Sequence, residues 1–185
     1  VMLETGHPTH VFDYDRIKSH ELIFRKSDKE EKIKTLENKV YSLPGNDIVI
    51  DNGEGEIIDL PGIIGTANSV VTPDTKRIIF FIDNNDPVHM RRTSMSLGIR
   101  TAAVALNEKN VDPELASVAF ARGIELYKKL TKGEIVSQTI DIYPKPYKGK
   151  TIKTNLEFIN KRLGINLDIN EITKILESLG FKLKS

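Results

Sequence analysis

His7 and His10, three residues apart in Gly6-His7-Pro8-Thr9-His10-Val11-Phe12-Asp13, are the side chains best placed to do chemistry in this sequence. A histidine pair at that spacing holds a metal when both lie on one helical face. Pro8 breaks such a helix, Asp13 is better used as a cap, and the chain has no cysteine to complete a ligand set, so no metal is assigned. His10 is read instead as a hydrogen-bonding or proton-relaying group in a cleft, because imidazole titrates close to neutral pH. His20 and His89 read as surface residues. A second feature is Leu60-Pro61-Gly62-Ile63-Ile64-Gly65-Thr66, where two glycines follow a strand pattern and so mark a bend or a close approach of another group to the main chain. Arg91, Arg92 and Arg100 form a basic group that would suit a phosphate backbone or a solvated helix face. No Gly-x-Gly-x-x-Gly, phosphate-binding loop or Gly-x-Ser-x-Gly run occurs, so nucleotide binding and serine hydrolysis by those routes are not supported.

These residues need elements to hold them. Val1 to Glu4 read as the end of an element, and Gly6 to Asp13 as a turn, with Asp13 capping a short helical turn over Tyr14 to Ile17. Leu22 to Phe24, Lys34 to Leu36 and Val40 to Leu43 read as short strands. Asp47 to Asp51 and Glu56 to Leu60 flank Asn52-Gly53, a tight-turn signal between antiparallel strands. Arg77 to Asp83 is rich in β-branched and aromatic residues and is expected to be central in the sheet. Asp86-Pro87 starts a helix that Gly98 ends, and Asp112-Pro113 starts another that stops near Lys132-Gly133. Val136, Ile140 and Ile142 alternate with polar residues as a strand would. After the Pro- and Lys-rich segment 143–150 come two amphipathic helices, Leu156 to Leu163 and Ile169 to Leu179, each with a glycine stop.

The chain has 185 residues, enough for one full domain and part of another. Its 27 Lys and Arg against 26 Asp and Glu leave a net charge of +1, so any nucleic-acid contact must come from a local patch. Absence of cysteine excludes a disulfide scaffold and a cysteine nucleophile and is compatible with the cytosol. The longest apolar run, Ile78 to Ile82, is too short to span a bilayer, and residues 1–4 do not look like a signal peptide. The expectation is a cytoplasmic α+β chain, with mainly antiparallel sheets, helices packed on them and a small partial helical domain after them.

In this order and spacing, Gly6-His7-Pro8-Thr9-His10-Val11-Phe12-Asp13, Leu60-Pro61-Gly62-Ile63-Ile64-Gly65, Asp86-Pro87-Val88, Arg91-Arg92-Thr93, Leu97-Gly98-Ile99-Arg100-Thr101-Ala102-Ala103 and Val111-Asp112-Pro113-Glu114 resemble the editing domain of the bacterial phenylalanyl-tRNA synthetase β subunit. The resemblance divides the chain into an editing domain at 1–143 without its start, a linker at 144–150, and the first half of the following helical domain at 151–185. It implies hydrolysis of tyrosine mischarged onto the phenylalanine tRNA, as one part of an ATP-dependent ligase. Partners implied are tRNA and the synthetase α subunit, in an α2β2 tetramer; neither DNA nor a membrane is among them. ATP and magnesium belong to the whole enzyme, and no cofactor is expected in this segment.

Carried over residue by residue, the family pocket falls on Pro8, His10, Gly62, Gly65, Thr101 and Ala103. His10 would then orient the attacking water or relay its proton. The sequence departs from the family at Phe81, where the resemblance expects a glutamate that reads the tyrosine hydroxyl. Asp83, two residues on and so on the same strand face, reads either as a substitute acceptor or as an exposed strand end, and proofreading is expected to be weak or absent. The alternatives are a structural, tRNA-contacting module and a free-standing aminoacyl-tRNA deacylase.

Overall fold

The computed structural model describes residues 1–184 and divides into two compact units, Val1–Ile142 and a second beginning at Tyr143. In the first unit, helix α1 (Met2–Thr5) stops at Gly6, whose φ of 74° ends it in the left-handed region. Strand β1 (His10–Asp13) follows, then a 3-10 turn at Tyr14–Arg16 capped by the Asp13 carboxylate, which accepts from the Asp15 amide. The sequence reading treats Gly6 to Asp13 as one turn, but its second half is strand. His10-Val11-Phe12-Asp13 pairs antiparallel with β8 (Ile78–Phe81), placing His10 opposite Phe81 and Phe12 opposite Ile79.

A four-stranded antiparallel sheet forms the centre, in the order β2 (Ile23–Lys26), β5 (Ile48–Asp51), β6 (Ile57–Leu60), β7 (Ile64–Gly65). The hairpin β3 (Lys32–Lys34) and β4 (Val40–Ser42) turns through Asn38, at a positive φ of 62°. Every residue of β6 is buried, so this strand lacks the in–out alternation of a sheet with one wet face. Val49 and Ile57 join one apolar cluster with Ile33, Leu43, Met90 and Val104, whereas Ile50 and Ile58 join a second with Phe12 and Ile17. The sheet thus lies between the helical layer and the β1–β8 ribbon.

Helix α2 (Pro87–Leu97) begins at Asp86, whose Oδ1 accepts from the His89 amide at 2.8 Å, and ends at Gly98 with φ 67°. Helix α3 (Ala102–Asn107), a stretch to which the sequence reading assigns no element, is capped by Thr101. Helix α4 (Leu115–Thr131) covers β8: a Cβ on Gly123 would run into the Phe80 ring, and Phe80 also stacks on Phe120 at 5.4 Å. This corrects the expected place of the 77–83 segment. β8 pairs with β1 alone, and its apolar content is explained by a helix lying on it rather than by strands on both sides. The strand expected over Val136, Ile140 and Ile142 is also corrected: these side chains are 83–87% exposed, and the alternation finds no partner strand to pair with.

In the second unit, α5 (Leu156–Leu163) is capped by Asn155 and stops at Gly164; α6 (Ile169–Ser178) carries a capping box between Asp168 and Glu171. Asn160 ties their connection, donating to the Leu167 carbonyl and accepting from its amide. Among the described residues no helix is long and apolar enough to cross a membrane. The α+β architecture with antiparallel sheets and packed helices agrees with the sequence reading.

Candidate functional site

Gly62 and Gly65 occupy a tight connection between β6 and β7. The Ile63 amide donates to the Leu60 carbonyl at 3.0 Å, and Gly62 takes φ 70°, a conformation that disfavours a side chain. A Cβ there would also lie 2.7 Å from Asn107 Nδ2, 3.0 Å from Asn85 Nδ2 and 3.1 Å from Met90 Sδ. Two bonds hold the connection onto α3. Asn107 Nδ2 donates to the Gly62 carbonyl at 3.0 Å, and the Thr101 hydroxyl donates to the Ile63 carbonyl at 2.7 Å while accepting from the Val104 amide. Thr101 is thus both the cap of α3 and the anchor of the glycine segment, and Ala103 lies on the first turn behind it.

Gly65 is extended rather than left-handed, and what it needs is space. A Cβ at Gly65 would lie 2.6 Å from Cε1 of His10 and 3.2 Å from Cδ1 of Leu36. The imidazole of His10 is therefore seated on the bare backbone of β7, with its other side against the Phe12 ring, 4.5 Å away and tilted by 64°. The structure brings His10, Gly62, Gly65 and Thr101 into one continuous patch. Pro8, beside His10 in sequence, is buried, and its carbonyl pairs with Nδ1 of the fully buried His7 at 2.8 Å.

Asp59 is the residue that the sequence reading misses. It lies on β6 directly across from Gly65, it is 2% exposed, and its Oδ1 stands 4.0 Å from Nε2 of His10. Both atoms are buried without a hydrogen-bond partner. Burial pushes the Asp59 carboxyl well above the usual carboxylate range; the nearby Asp83 carboxyl adds to the rise, and the Leu60 amide opposes it. Burial likewise pushes His10 down to about 4. Its only signal in sequence is an acid inside the apolar run Ile57-Ile58-Asp59-Leu60.

Asp83 follows β8 and is half-buried rather than an exposed strand end, its carboxylate accepting from Asn85 Nδ2. Burial raises it, while Asn85 and His7 pull the other way. Phe81 is held in an aromatic group: its ring lies 5.6 Å from Phe12 and 6.0 Å from Phe24. Phe24 and Asn85 also line a hollow of about 410 Å³ beside the patch, together with Lys26 and Asn84. A larger hollow, about 560 Å³ between 31–34 and 55–57, shares none of the site residues. Of the three arginines, Arg91 and Arg100 are engaged by Glu108 at 3.5 and 2.7 Å, which favours a solvated ion-paired face over a free basic patch. Among the described residues there is no group of three or more His, Cys, Asp or Glu arranged to hold a metal.

The histidine shift has a thermodynamic consequence. The unfolded chain binds a proton at His10 near the ordinary value of 6.5, and the folded chain refuses it until about 4. Stability is therefore lost as pH falls from about 6.5 and levels off below about 4, with a full size on the order of 3 kcal/mol before allowing for the ring's partial exposure. His10→Asn is expected to remove that component. Urea midpoints for both proteins between pH 4 and 7 should diverge, the variant gaining toward low pH; parallel curves would contradict the buried, neutral imidazole.

The sequence profile of the family described as the B3/4 domain matches residues 1–132. Phenylalanine–tRNA ligase β subunits are similar over nearly the whole chain. That of Clostridium tetani is 35% identical over 98% of this chain and 23% of its own length, and that of Carboxydothermus hydrogenoformans 37% over 99% and 23%. The Thermotoga maritima subunit is 32% identical over 100% of this chain and 23% of its own. The chain thus spans about a quarter of the length of the relatives it matches.

Proposed function

The chain belongs to the B3/4 domain family, and from that premise we propose that it is a segment of a phenylalanine–tRNA ligase β subunit whose first unit hydrolyses mischarged aminoacyl-tRNA. The observation that supports this most is the seating of His10 on Gly65, which holds a quarter-exposed imidazole in a patch anchored by Thr101 and Asn107. On this reading the aminoacyl ester and the tRNA end lie against the patch that the Gly62 turn and Gly65 seat, and His10 faces the scissile bond. The tRNA and an α subunit are the partners, in an α2β2 assembly working in the cytoplasm. ATP and magnesium serve charging by the whole enzyme and enter no step at this patch.

Position 81 sets the expected selectivity. A site that hydrogen-bonds a substrate hydroxyl rejects the analogue lacking it by roughly 10⁴–10⁵, whereas an apolar pocket separates the two by only about 100-fold. Phe81 accepts no hydrogen bond, and Asp83 is already bonded to Asn85. The intact β subunit, assembled with its α subunit, is therefore expected to hydrolyse tyrosyl- and phenylalanyl-tRNA at rates within about 100-fold of each other. Phe81→Glu should raise the preference for tyrosine at least about tenfold, at some cost in stability because the new carboxylate lies beside Phe12 and Phe24. An unchanged ratio in a folded variant would remove position 81 from the pocket. The same aromatic seat favours a second reading, a tRNA-contacting scaffold without hydrolysis, and no restoration of activity by Phe81→Glu in an inactive enzyme would support it.

A further inference from the structure

Two buried polar atoms without partners, Asp59 Oδ1 and His10 Nε2, face each other across 4.0 Å. They come from separate strands, β6 and β1. The ring's position is fixed from two sides, by Phe12 at 4.5 Å and by Gly65, the cross-strand neighbour of Asp59. An approach of about 1 Å, within reach of small side-chain rotations, brings the two atoms to hydrogen-bond distance.

We propose that Asp59 is the positioning residue for His10: its carboxyl group donates to Nε2 and so holds the imidazole in the tautomer whose proton is on Nδ1, making His10 a hydrogen-bond donor to the substrate. The role toward substrate rests on the ester-hydrolase reading above; the tautomer does not. A neutral imidazole carries one N–H, so if Nε2 accepts, Nδ1 must donate. The alternative, an aspartate–imidazolium ion pair, requires both groups to charge where burial opposes each. The other charges around the pair act in the same sense: Asp83, entering from the end of β8, places a second carboxyl near Asp59, and His7 acts on Asp83 rather than on Asp59. Of the two ring nitrogens only Nε2 is buried without a partner, and a quarter of the His10 side chain remains exposed.

This changes the role expected of His10 from the sequence. With its lone pair turned toward Asp59, the ring does not take a proton from water. Water adds to the ester carbonyl carbon and loses its proton to solvent, and the carbonyl electron pair moves to oxygen, where Nδ1–H stabilises the developing charge. The pair then returns, the bond to the ribose oxygen breaks, and that oxygen takes a proton from solvent. The products are a free amino acid and a tRNA hydroxyl.

The test is ¹⁵N-resolved NMR of the imidazoles in this chain near pH 7, on wild type, Asp59→Asn and Asp59→Leu. His10 should carry its proton on Nδ1 in wild type and in Asp59→Asn, whose amide still donates, and shift to Nε2 in Asp59→Leu. As pH rises and Asp59 ionises, the carboxylate can only accept, so the wild-type tautomer should switch to Nε2–H while that of Asp59→Asn does not. An Nε2–H tautomer in wild type at neutral pH overturns the proposal, and if Asp59→Leu does not fold, absence of the pH switch overturns it equally. In the intact synthetase, Asp59→Leu should lower kcat for tyrosyl-tRNA hydrolysis about 10²-fold with KM little changed, and Asp59→Asn should restore most of it. A wild-type rate in Asp59→Leu removes the positioning role. A wild-type enzyme that hydrolyses nothing refutes the hydrolase reading and with it the substrate role, and leaves the tautomer to be decided by NMR.

Discussion

Gly65→Ala is expected to lower tyrosyl-tRNA hydrolysis by about 10²-fold in a protein that still folds, because displacing a catalytic group by about 1 Å costs that much. The added methyl would meet Cε1 of His10 at 2.6 Å, inside any real contact distance, and Cδ1 of Leu36 at 3.2 Å. Phe12 blocks the ring on its other side, so the imidazole must swing away from both β7 and Asp59. Backbone strain is not part of this effect, since Gly65 is not left-handed, and thermal unfolding should show a shift of only a few degrees. Gly62→Ala makes a useful contrast. There the φ of 70° and a 2.7 Å contact with Asn107 Nδ2 act on the fold as well as the site, so activity and stability should fall together. Full activity in a folded Gly65→Ala protein would mean that the seat of His10 is irrelevant to the reaction.

Phe12→Ala should destabilise the first unit by about 3–5 kcal/mol, the usual cost of emptying a fully buried phenylalanine site. Phe12 is 0% exposed and packs in the cluster of Ile17, Ile50 and Ile58, between the sheet and the β1–β8 ribbon. Domains of this size are stable by roughly 5–15 kcal/mol, so most of the margin would be lost. The same ring supports His10 and Phe81, at 4.5 and 5.6 Å, and loss of the fold margin and of hydrolysis should therefore arrive in one substitution. Urea unfolding followed by circular dichroism measures it; a loss under about 1 kcal/mol would show that the cluster closes over the gap and that the ribbon is not held by this ring.

Elements bounded by strong punctuation are legible in the sequence. Asp86-Pro87 and Gly98 mark both ends of α2, Asn52-Gly53 marks the β5–β6 connection, and Gly164 marks the end of α5. Elements defined by tertiary partners are not. α3 is six residues long, too short for an apolar period to show, and its cap Thr101 lies in a stretch that also reads as a turn. β8 looks central because apolar β-branched and aromatic residues suit both a two-neighbour strand and a strand roofed by a helix; the contacts of Phe80 with Gly123 and Phe120 separate the two. Residues 136–142 alternate as a strand should, but alternation supplies a face and not a partner.

The site divides the same way. His10, Gly62, Gly65 and Thr101 are identified through the family resemblance, and the fold brings them together. Asp59 escapes notice because a single acid in an apolar strand ordinarily marks the solvent face, and β6 has none. Asn107 escapes because its function is a hydrogen bond to the Gly62 carbonyl, 45 residues earlier in the chain.

Whether His10 on its glycine seat serves hydrolysis of a misacylated tRNA is decided by deacylation of preformed tyrosyl-tRNA by the whole synthetase, wild type against His10→Ala. The wild-type rate should exceed that of the free ester, and the substitution should reduce it about 10²-fold or to the free-ester rate. A wild-type rate equal to that of the free ester, or one that His10→Ala leaves untouched, would contradict it.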